Sequence, residues 1–429
     1  MSILRTLNTG ATGLSANGEA LGVVSDNIAN ANTIGFKRSR ADFQDMVASA
    51  GKSELTQIGA GSRLGGVSQM WKQGALLSTE SSTDLALSGD GFFVVNGTAS
   101  GVSGNFYSRA GQFHLDKDGF VVNTDDLKLQ GYPADSRGQI LGTLSDLRIG
   151  PTALPATSTA GVRLGVNVDA NSTVPANAFD PTNPAATSNF PSSVTVYDSL
   201  GNGHQITTYF NKTGTNDWEW HAVVDGAEIT GGTPGVPFEG ASGTLAFSTD
   251  GALQTETTVQ STWDFVGATA GQQIAFDFGS SIDDGGTGLD GTTNFASPST
   301  TNAATQDGYA AGSVTGINVA ATGVITGVFT NGQRRVLGQV AVAAFKSVDG
   351  LQRAGQGLWV QTEDSGEALM GGASTGGRGA ILSGSLEQSN VDIGREFVDL
   401  IGFQRGFQAN SKVIQTADEM YGELVNMKR

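Results

Sequence analysis

Apolar residues recur near both ends of this chain at alternating intervals of three and four. From the start, Leu4, Leu7, Ala11, Leu14, Leu21 and Ile28 share one helical face, broken by Gly18 and Ser25. That spacing predicts a helix of about 25 residues. Toward the other end Ile393, Phe397, Leu400, Phe407, Ile414, Tyr421 and Val425 repeat it, with Gln404, Ser411 and Asp418 as polar breaks. A second helix of roughly forty residues is predicted. Ser389 stands three positions before Asp392, as in a capping box, and Lys428 and Arg429 suit the opposite helix end. Stripes this narrow leave an isolated helix marginal, so each must bury its stripe against a partner. Periodicity alone leaves open whether that partner is the other helix or a neighbouring molecule.

Between the helices the pattern shifts to short alternating runs, Thr83–Val95, Phe106–Asn123 and Gly338–Ala344, which predict strands. Asn96-Gly97, Asp118-Gly119, Asn331-Gly332 and Asp349-Gly350 are read as hairpin turns. A Thr-, Ser- and Asn-rich stretch from Pro151 to about Thr300 carries its own strands, Ser193–Tyr197 and His204–Phe210. Its flanks, Pro151–Ala160 and Gly285–Ala304, are expected to be linkers. The expected architecture is α+β and multidomain. Long helices at 1–32 and 390–429 pair as a coiled-coil-like inner domain, joined through connecting segments 33–75 and 365–389. A first β domain takes 76–150 and 300–364, and 151–299 form an inserted outer β domain.

Composition narrows the function. With 62 Gly, 10 Pro and only 15% charged residues among 429, the chain favours turn-rich β structure over a helical enzyme. The net charge of −17 argues against nucleic acid or an anionic membrane as partner, because both need a basic face. Residues 150–300 hold 15 acids against only Arg163 and Lys212, so an exposed middle would repel its own copies. There is no cysteine, and therefore neither disulfide nor thiol chemistry. No Sec-like signal and no run of about 18 apolar residues occur, so no membrane insertion is expected.

Chemistry is hard to find. His114, His204 and His221 show no metal-binding spacing, and no Gly-x-Ser-x-Gly elbow places a serine. The glycines of Gly371–Gly379 lack the lysine of a phosphate loop and read as a flexible loop. Asp283-Asp284-Gly285-Gly286 and Asp290-Gly291 match no EF-hand and read as solvated linker. Trp218 and Trp220, two apart, point to one face of a strand and are expected in a core rather than on a sugar-binding surface. No catalytic residue, cofactor or metal is expected.

Specific motifs lie in the two ends. Leu14-Ser15-Ala16-Asn17, followed by Ser25-Asp26-Asn27-Ile28-Ala29-Asn30-Ala31-Asn32-Thr33-Ile34-Gly35-Phe36-Lys37-Arg38, resembles the N-terminal signature of the flagellar rod and hook axial protein family. Asp26 departs from the Asn usual there. Physically, Asn30 and Asn32 are expected to end the helix in left-handed backbone, Gly35 to turn the chain and Phe36 to anchor it. Leu386-Glu387-Gln388-Ser389-Asn390-Val391-Asp392, Glu396-Phe397 and Gln404-Arg405-Gly406-Phe407-Gln408-Ala409-Asn410 resemble the family's C-terminal signature. Gly89-Asp90-Gly91-Phe92-Phe93, Ser108-Arg109-Ala110-Gly111-Gln112-Phe113 and Leu129-Gln130-Gly131-Tyr132 extend the match inward. Val196-Tyr197-Asp198-Ser199-Leu200-Gly201-Asn202, Phe247-Ser248-Thr249-Asp250-Gly251 and Thr305-Gln306-Asp307-Gly308-Tyr309-Ala310-Ala311-Gly312 are similar to its hook branch.

The resemblance implies a structural polymer subunit, not an enzyme. Its terminal helices would line a tube and the inserted domain would face outward. Subunits would leave the cell unfolded through the type III export apparatus, without a cleaved signal, and act in the extracellular hook. Implied partners are other copies of itself, the hook cap, distal rod, hook-filament junction and hook-length control proteins. The assembly residues so implied are Leu4, Leu7, Leu14, Leu21, Ile28, Asn27, Asn30, Asn32, Thr33, Gly35, Phe36 and Lys37 at one end. At the other they are Ser389, Asn390, Val391, Asp392, Phe397, Leu400, Gln404, Phe407, Asn410, Ile414, Tyr421 and Val425. A distal rod protein is the near alternative, and a secreted adhesin or surface-layer protein the alternative of another class.

Overall fold

The computed structural model describes residues 3–47, 59–99, 101–149 and 153–426. Two compact units emerge, one from Met1–Pro151, Thr315–Val328 and Arg334–Arg429, the other from Thr152–Val314 and Phe329–Gln333. The first holds two long helices, α1 (Ile3–Ala29) and α2 (Ile393–Asn426), and a β body. The fold is α+β, as the patterns predict.

The helices run antiparallel, with Gly10 beside Ile414, Gly13 beside Asn410, Asn17 beside Gly406 and Asn27 bonded to Glu396. Their seam is not the apolar stripe. On α1 the buried positions are Gly10, Gly13, Ala16, Ala20, Val24 and Asn27, while Leu7, Leu14, Leu21 and Ile28 are half-buried and Leu4 is exposed. On α2 Ile393, Phe397, Phe407 and Tyr421 are exposed, and only Leu400 and Ile414 of the stripe are half-buried. Backbone proximity explains the displacement. A Cβ on Gly10 would lie 3.0 Å from Ile414 Cγ1, so the space between the helices admits glycine and alanine but no leucine. The side chain of Val425, and all of Lys428 and Arg429, lie outside the described residues.

Both helix ends differ from expectation. α1 closes through a tightened turn in which the Asn30 amide reaches the Asp26 and Asn27 carbonyls, and Asn30 Nδ2 also donates to Asp26 O at 2.8 Å. Neither Asn30 nor Asn32 is left-handed; Gly35, at φ +70°, reverses the chain. At the start of α2 the capping group is the Asp392 carboxylate, which accepts from the Arg395 amide at 3.3 Å. Ser389 is engaged one turn earlier, accepting from the Val391 amide, so it cannot cap.

After α1 comes a hairpin that no pattern predicted, β1 (Ser39–Val47) and β2 (Gly59–Gln69), laid against α1, with Phe43 of β1 5.7 Å from Phe403 of α2. The main sheet places, in spatial order, Val314–Val319, Val324–Phe329, Arg334–Ala344, Lys128–Pro133, Phe92–Ala99, Val102–Ser108, Leu358–Val360 and Gln352–Gly355. In the strand Phe92–Ala99, Phe93 and Val95 enter one core while Phe92 and Val94 enter another with Tyr107 and Trp359. Burial on both faces explains why this run is continuously apolar rather than alternating. Asn96-Gly97 is no turn: it sits mid-strand, Asn96 bonding Asn105, and the chain reverses at Gly101 instead. Asp349-Gly350 forms a short 3-10 turn without positive φ at Gly350. The glycine loop after Gly371 is fastened by Arg378, whose guanidinium bonds Gly372 O, Leu369 O and Thr375 Oγ1.

The second unit is a six-stranded antiparallel meander, Phe190–Tyr197, Gly203–Lys212, Asp217–Asp225, Pro237–Phe247, Leu253–Trp263 and Gln272–Gln273. A three-stranded sheet of Ala275–Asp277, Gly161–Asn167 and Thr300–Gln306 completes the same core. Trp218 and Trp220 are fully buried there, as their spacing implied, together with Trp263 and Phe278. The expected linkers are packed structure. Thr292 Oγ1 donates to Leu164 O, Thr293 Oγ1 to Asn167 Oδ1, and Leu154 and Thr157 bridge to Gly312 and Tyr309. Threonines here satisfy buried carbonyls, so a polar composition that suggests solvent instead serves the interior. Because Thr300–Gln306 pairs with Gly161–Asn167, those residues join this unit and not the first.

One turn design recurs in both units. Asp116, Asn123, Asp135 and Asp198 each accept amide bonds from residues two and four positions on. The residue three on has positive φ in every case: Gly119, Asp126, Gly138 and Gly201. An acceptor side chain thus satisfies the amides that a tight turn would orphan, while the left-handed residue closes it. Burial works against the Asp198 carboxylate, but bonds from Asn202, His204 and Leu200 prevail and hold it below its ordinary 3.8. A depressed carboxylate contributes stability that is full above the unfolded value and lost as pH falls through the folded one. The second unit should therefore lose stability on acidification below about pH 4. In Asp198→Asn the loss should be shallower, as read by denaturant midpoints between neutral and acid pH.

Candidate terminal junction

Where α1 ends and α2 begins, the two terminal signatures meet in a water-poor knot. Gly35 turns the chain so that its amide bonds Glu387 O at 2.7 Å, and a Cβ there would strike the backbone between Arg109 and Ala110. Phe36 and Lys37 are thereby driven inward, both buried, with the Arg353 guanidinium 5.3 Å from the Phe36 ring. Lys37 Nζ lies 2.6 Å from Glu387 Oε1 and donates to Lys72 O, while Arg109 Nη1 reaches Glu387 Oε2 at 3.3 Å. The Gly74 amide donates a further bond to Glu387 Oε1. Glu387 is wholly inaccessible to solvent. Burial pushes the Lys37 ammonium and the Arg109 guanidinium below their ordinary values, against the pull of Glu387.

A second cluster adjoins the first. Asn27, buried in α1, exchanges both amide atoms with the Ser39 backbone at 2.7 and 2.8 Å and donates to Glu396 Oε2 at 3.0 Å. Arg38 Nη1 meets Glu396 Oε1 at 2.9 Å. Asn390 accepts from the Arg38 amide and donates to Met70 O and Lys72 O, so one side chain staples three segments. Five of the sequence-derived residues, Asn27, Gly35, Phe36, Lys37 and Asn390, therefore converge.

The others do not. Asn32 and Thr33 are exposed, Asn30 only closes its own helix, and Val391, Ser389 and Asp392 shape the entry to α2. Gln404 is exposed and Asn410 belongs to the helix seam. Sequence reasoning missed Arg38, Arg109, Glu387 and Glu396, which carry the charge of the junction. Their signal was available: each is an ionisable residue inside a motif of a chain otherwise poor in charge.

Lys37 and Arg109 are paired with Glu387, and Arg38 with Glu396. The arrangement is a clamp. Glu387→Gln keeps the shape but leaves Lys37 and Arg109 without a countercharge, which should cost about 3–5 kcal/mol. Denaturation should show the first unit's transition at lower denaturant and the second unit's unmoved.

Four flagellar families match successive parts of the chain. The Flagella basal body rod protein family matches residues 7–37 and the Flagellar hook protein FlgE/F/G D1 domain residues 86–178. The Flagellar basal body protein FlaE D2 domain matches 167–309, and the Flagellar basal body rod FlgEFG protein C-terminal family 382–427. The Flagellar hook protein FlgE of Salmonella typhimurium is 32% identical over 420 residues, covering 97% of this chain and 98% of its own. That of Borreliella burgdorferi is 33% identical over 453, covering 99% and 100%. The crystal structure of Helicobacter pylori flagellar hook protein FlgE2 shares the fold, with a TM-score of 0.50 at 15% identity over 71% of this chain and 98% of that one. On this identity and coverage the chain belongs to the flagellar hook protein family, as a structural subunit of the flagellum and not an enzyme.

Proposed function

We propose that the chain polymerises into the hook through the outward faces of its terminal helices, with the second unit on the outside of the tube. The observation that carries this reading is the set of large apolar side chains left exposed on α2 after the helices have paired. Phe397, Val398, Ile401, Val413, Met420 and Tyr421 are 40–69% exposed as a group, Val398 most of all at 69%. A helix that closes its inner face with Gly406, Asn410 and Ala417 and leaves phenylalanine and isoleucine outside has a partner still to meet. Neighbouring copies are that partner, since the family builds a repeating structure.

The same economy fits passage through the growing channel as an unfolded chain, without a cleaved signal. Helices of 27 and 34 residues with a glycine-rich seam gain little by folding alone. Ordering them costs about 1–2 kcal/mol per residue, so it becomes favourable only where neighbours cover the exposed set. Addition would then be confined to a prepared tip, which would be the role of a hook cap protein. The distal rod, hook-filament junction and hook-length control proteins and the export apparatus are the further partners of this reading. The charge of the second unit, acidic almost throughout, would hold its copies apart on the outer surface.

Val398→Asp and Ile401→Asp place charge in the exposed set without touching either core. Both variants should keep the folded signature of the second unit while assembly, counted as hooks by electron microscopy, falls by at least about tenfold. Normal assembly would overturn the proposed surface. An antibody against residues 152–314 should decorate a short curved segment between rod and filament; decoration of the straight rod or of the general cell surface would favour a rod protein or an adhesin.

A further inference from the structure

The two terminal helices carry the same five-residue pattern on their facing sides: Gly13-Leu14-Ser15-Ala16-Asn17 in α1 and Gly406-Phe407-Gln408-Ala409-Asn410 in α2. In each copy the asparagine folds back on its own glycine. Asn17 Nδ2 donates to Gly13 O at 2.7 Å, and Asn410 Nδ2 to Gly406 O at 2.9 Å. Each carboxamide then lies over the glycine of the opposite helix. A Cβ on Gly13 would be 2.8 Å from Asn410 Oδ1 and 2.9 Å from its Cγ, and a Cβ on Gly406 would be 2.8 Å from Asn17 Oδ1. Because the helices are antiparallel, the two motifs stand in a local two-fold relation, each supplying the knob and the socket for the other.

We infer that these four residues are a register lock, positioning α1 against α2 along their length. Beside them Ile414 packs on Gly10 in nearly the same register, while Ala16, Ala20 and Ala417 are too small to specify an offset. A slip of one turn, about 5.4 Å, brings Asn17 against Asn410 in one direction and Gly13 against Gly406 in the other, a collision or a void. The second fixed point is the Asn27–Glu396 bond of the junction, ten residues further along α1 than Asn17 and in the same register. Two points make the pair one rigid strut. Shear imposed by bending is thereby directed to the surfaces between molecules and not to the seam within one.

The lock concerns the inner faces alone, so it stands or falls separately from the exposed set tested by Val398→Asp and Ile401→Asp. Cross-helix rescue tests it. Alanine is a better helix former than glycine, so if Gly13 and Gly406 were ordinary helical positions, Gly13→Ala and Gly406→Ala would be neutral or favourable. As sockets they cannot accept a methyl, and each variant should cut hook number by about tenfold or more. Adding Asn410→Ala should restore Gly13→Ala to within about twofold, whereas Asn17→Ala in the same helix should not. The pattern should invert for Gly406→Ala, which Asn17→Ala restores and Asn410→Ala does not. Neutral glycine variants, or rescue from the same helix, would overturn the lock.

Discussion

Glu387 is shut off from solvent, and the first unit is arranged so that this is tolerable. A buried carboxylate left alone costs several kcal/mol, so cations and amides must be gathered to it from wherever the chain provides them. Lys37 comes from beyond α1, Arg109 from the first β segment, and the Gly74 amide from the stretch before the main sheet. None of these segments can take its place without the others. The ends of the chain, more than 350 positions apart at Arg38 and Glu396, are thereby made parts of one cooperative structure. Replacing such a cluster by apolar residues of equal size is often neutral or stabilising, so its value here lies less in strength than in permitting only one way of joining the segments.

Around that clamp, the helices divide their surfaces by side-chain size. Inward positions are mostly glycine, alanine and asparagine, which let the backbones approach. On α2 the exposed positions include phenylalanine, valine, isoleucine and methionine, which supply little until something covers them. The hydrophobic contribution of the large residues is thus withheld from the isolated molecule and becomes available on contact, at roughly 25 cal/mol for each Å² then removed from water. A helix pair built the other way, with leucine inside, would be more stable alone and have less to gain from a neighbour.

That division also explains what could be read in advance. Both helices, their approximate lengths, the β body and the tryptophan core of the second unit were legible, since each rests on the period of large apolar residues. The seam was not. Spacing identifies where leucines lie, but says nothing of which face another backbone will approach, and Gly10, Gly13 and Gly406, which decide it, stand off the period of the large apolar residues. The terminal signatures point to Asn27, Lys37 and Asn390, whereas Glu387 and Glu396 are marked only as charges within those motifs, because their burial depends on partners from distant segments. The polar stretch after Gly285 misled for a related reason. Threonine and asparagine signal solvent by composition, yet Thr292 and Asn167 satisfy interior carbonyls and amides.

The second unit solves a different problem with local means. Its strands follow one another in a meander, so every main pairing from Phe190 to Trp263 is between neighbours in sequence. Turns such as Asp198 to Asn202 satisfy their own amides. Contacts of this kind form without waiting for distant parts of the chain. The first unit cannot do this, since its clamp and its helix pair need residues from both ends at once. Folding of the inserted unit is therefore set by its own sequence, while pairing of the terminal helices waits on long-range closure. In a subunit that must join a polymer, the late step is the one that a neighbour can control.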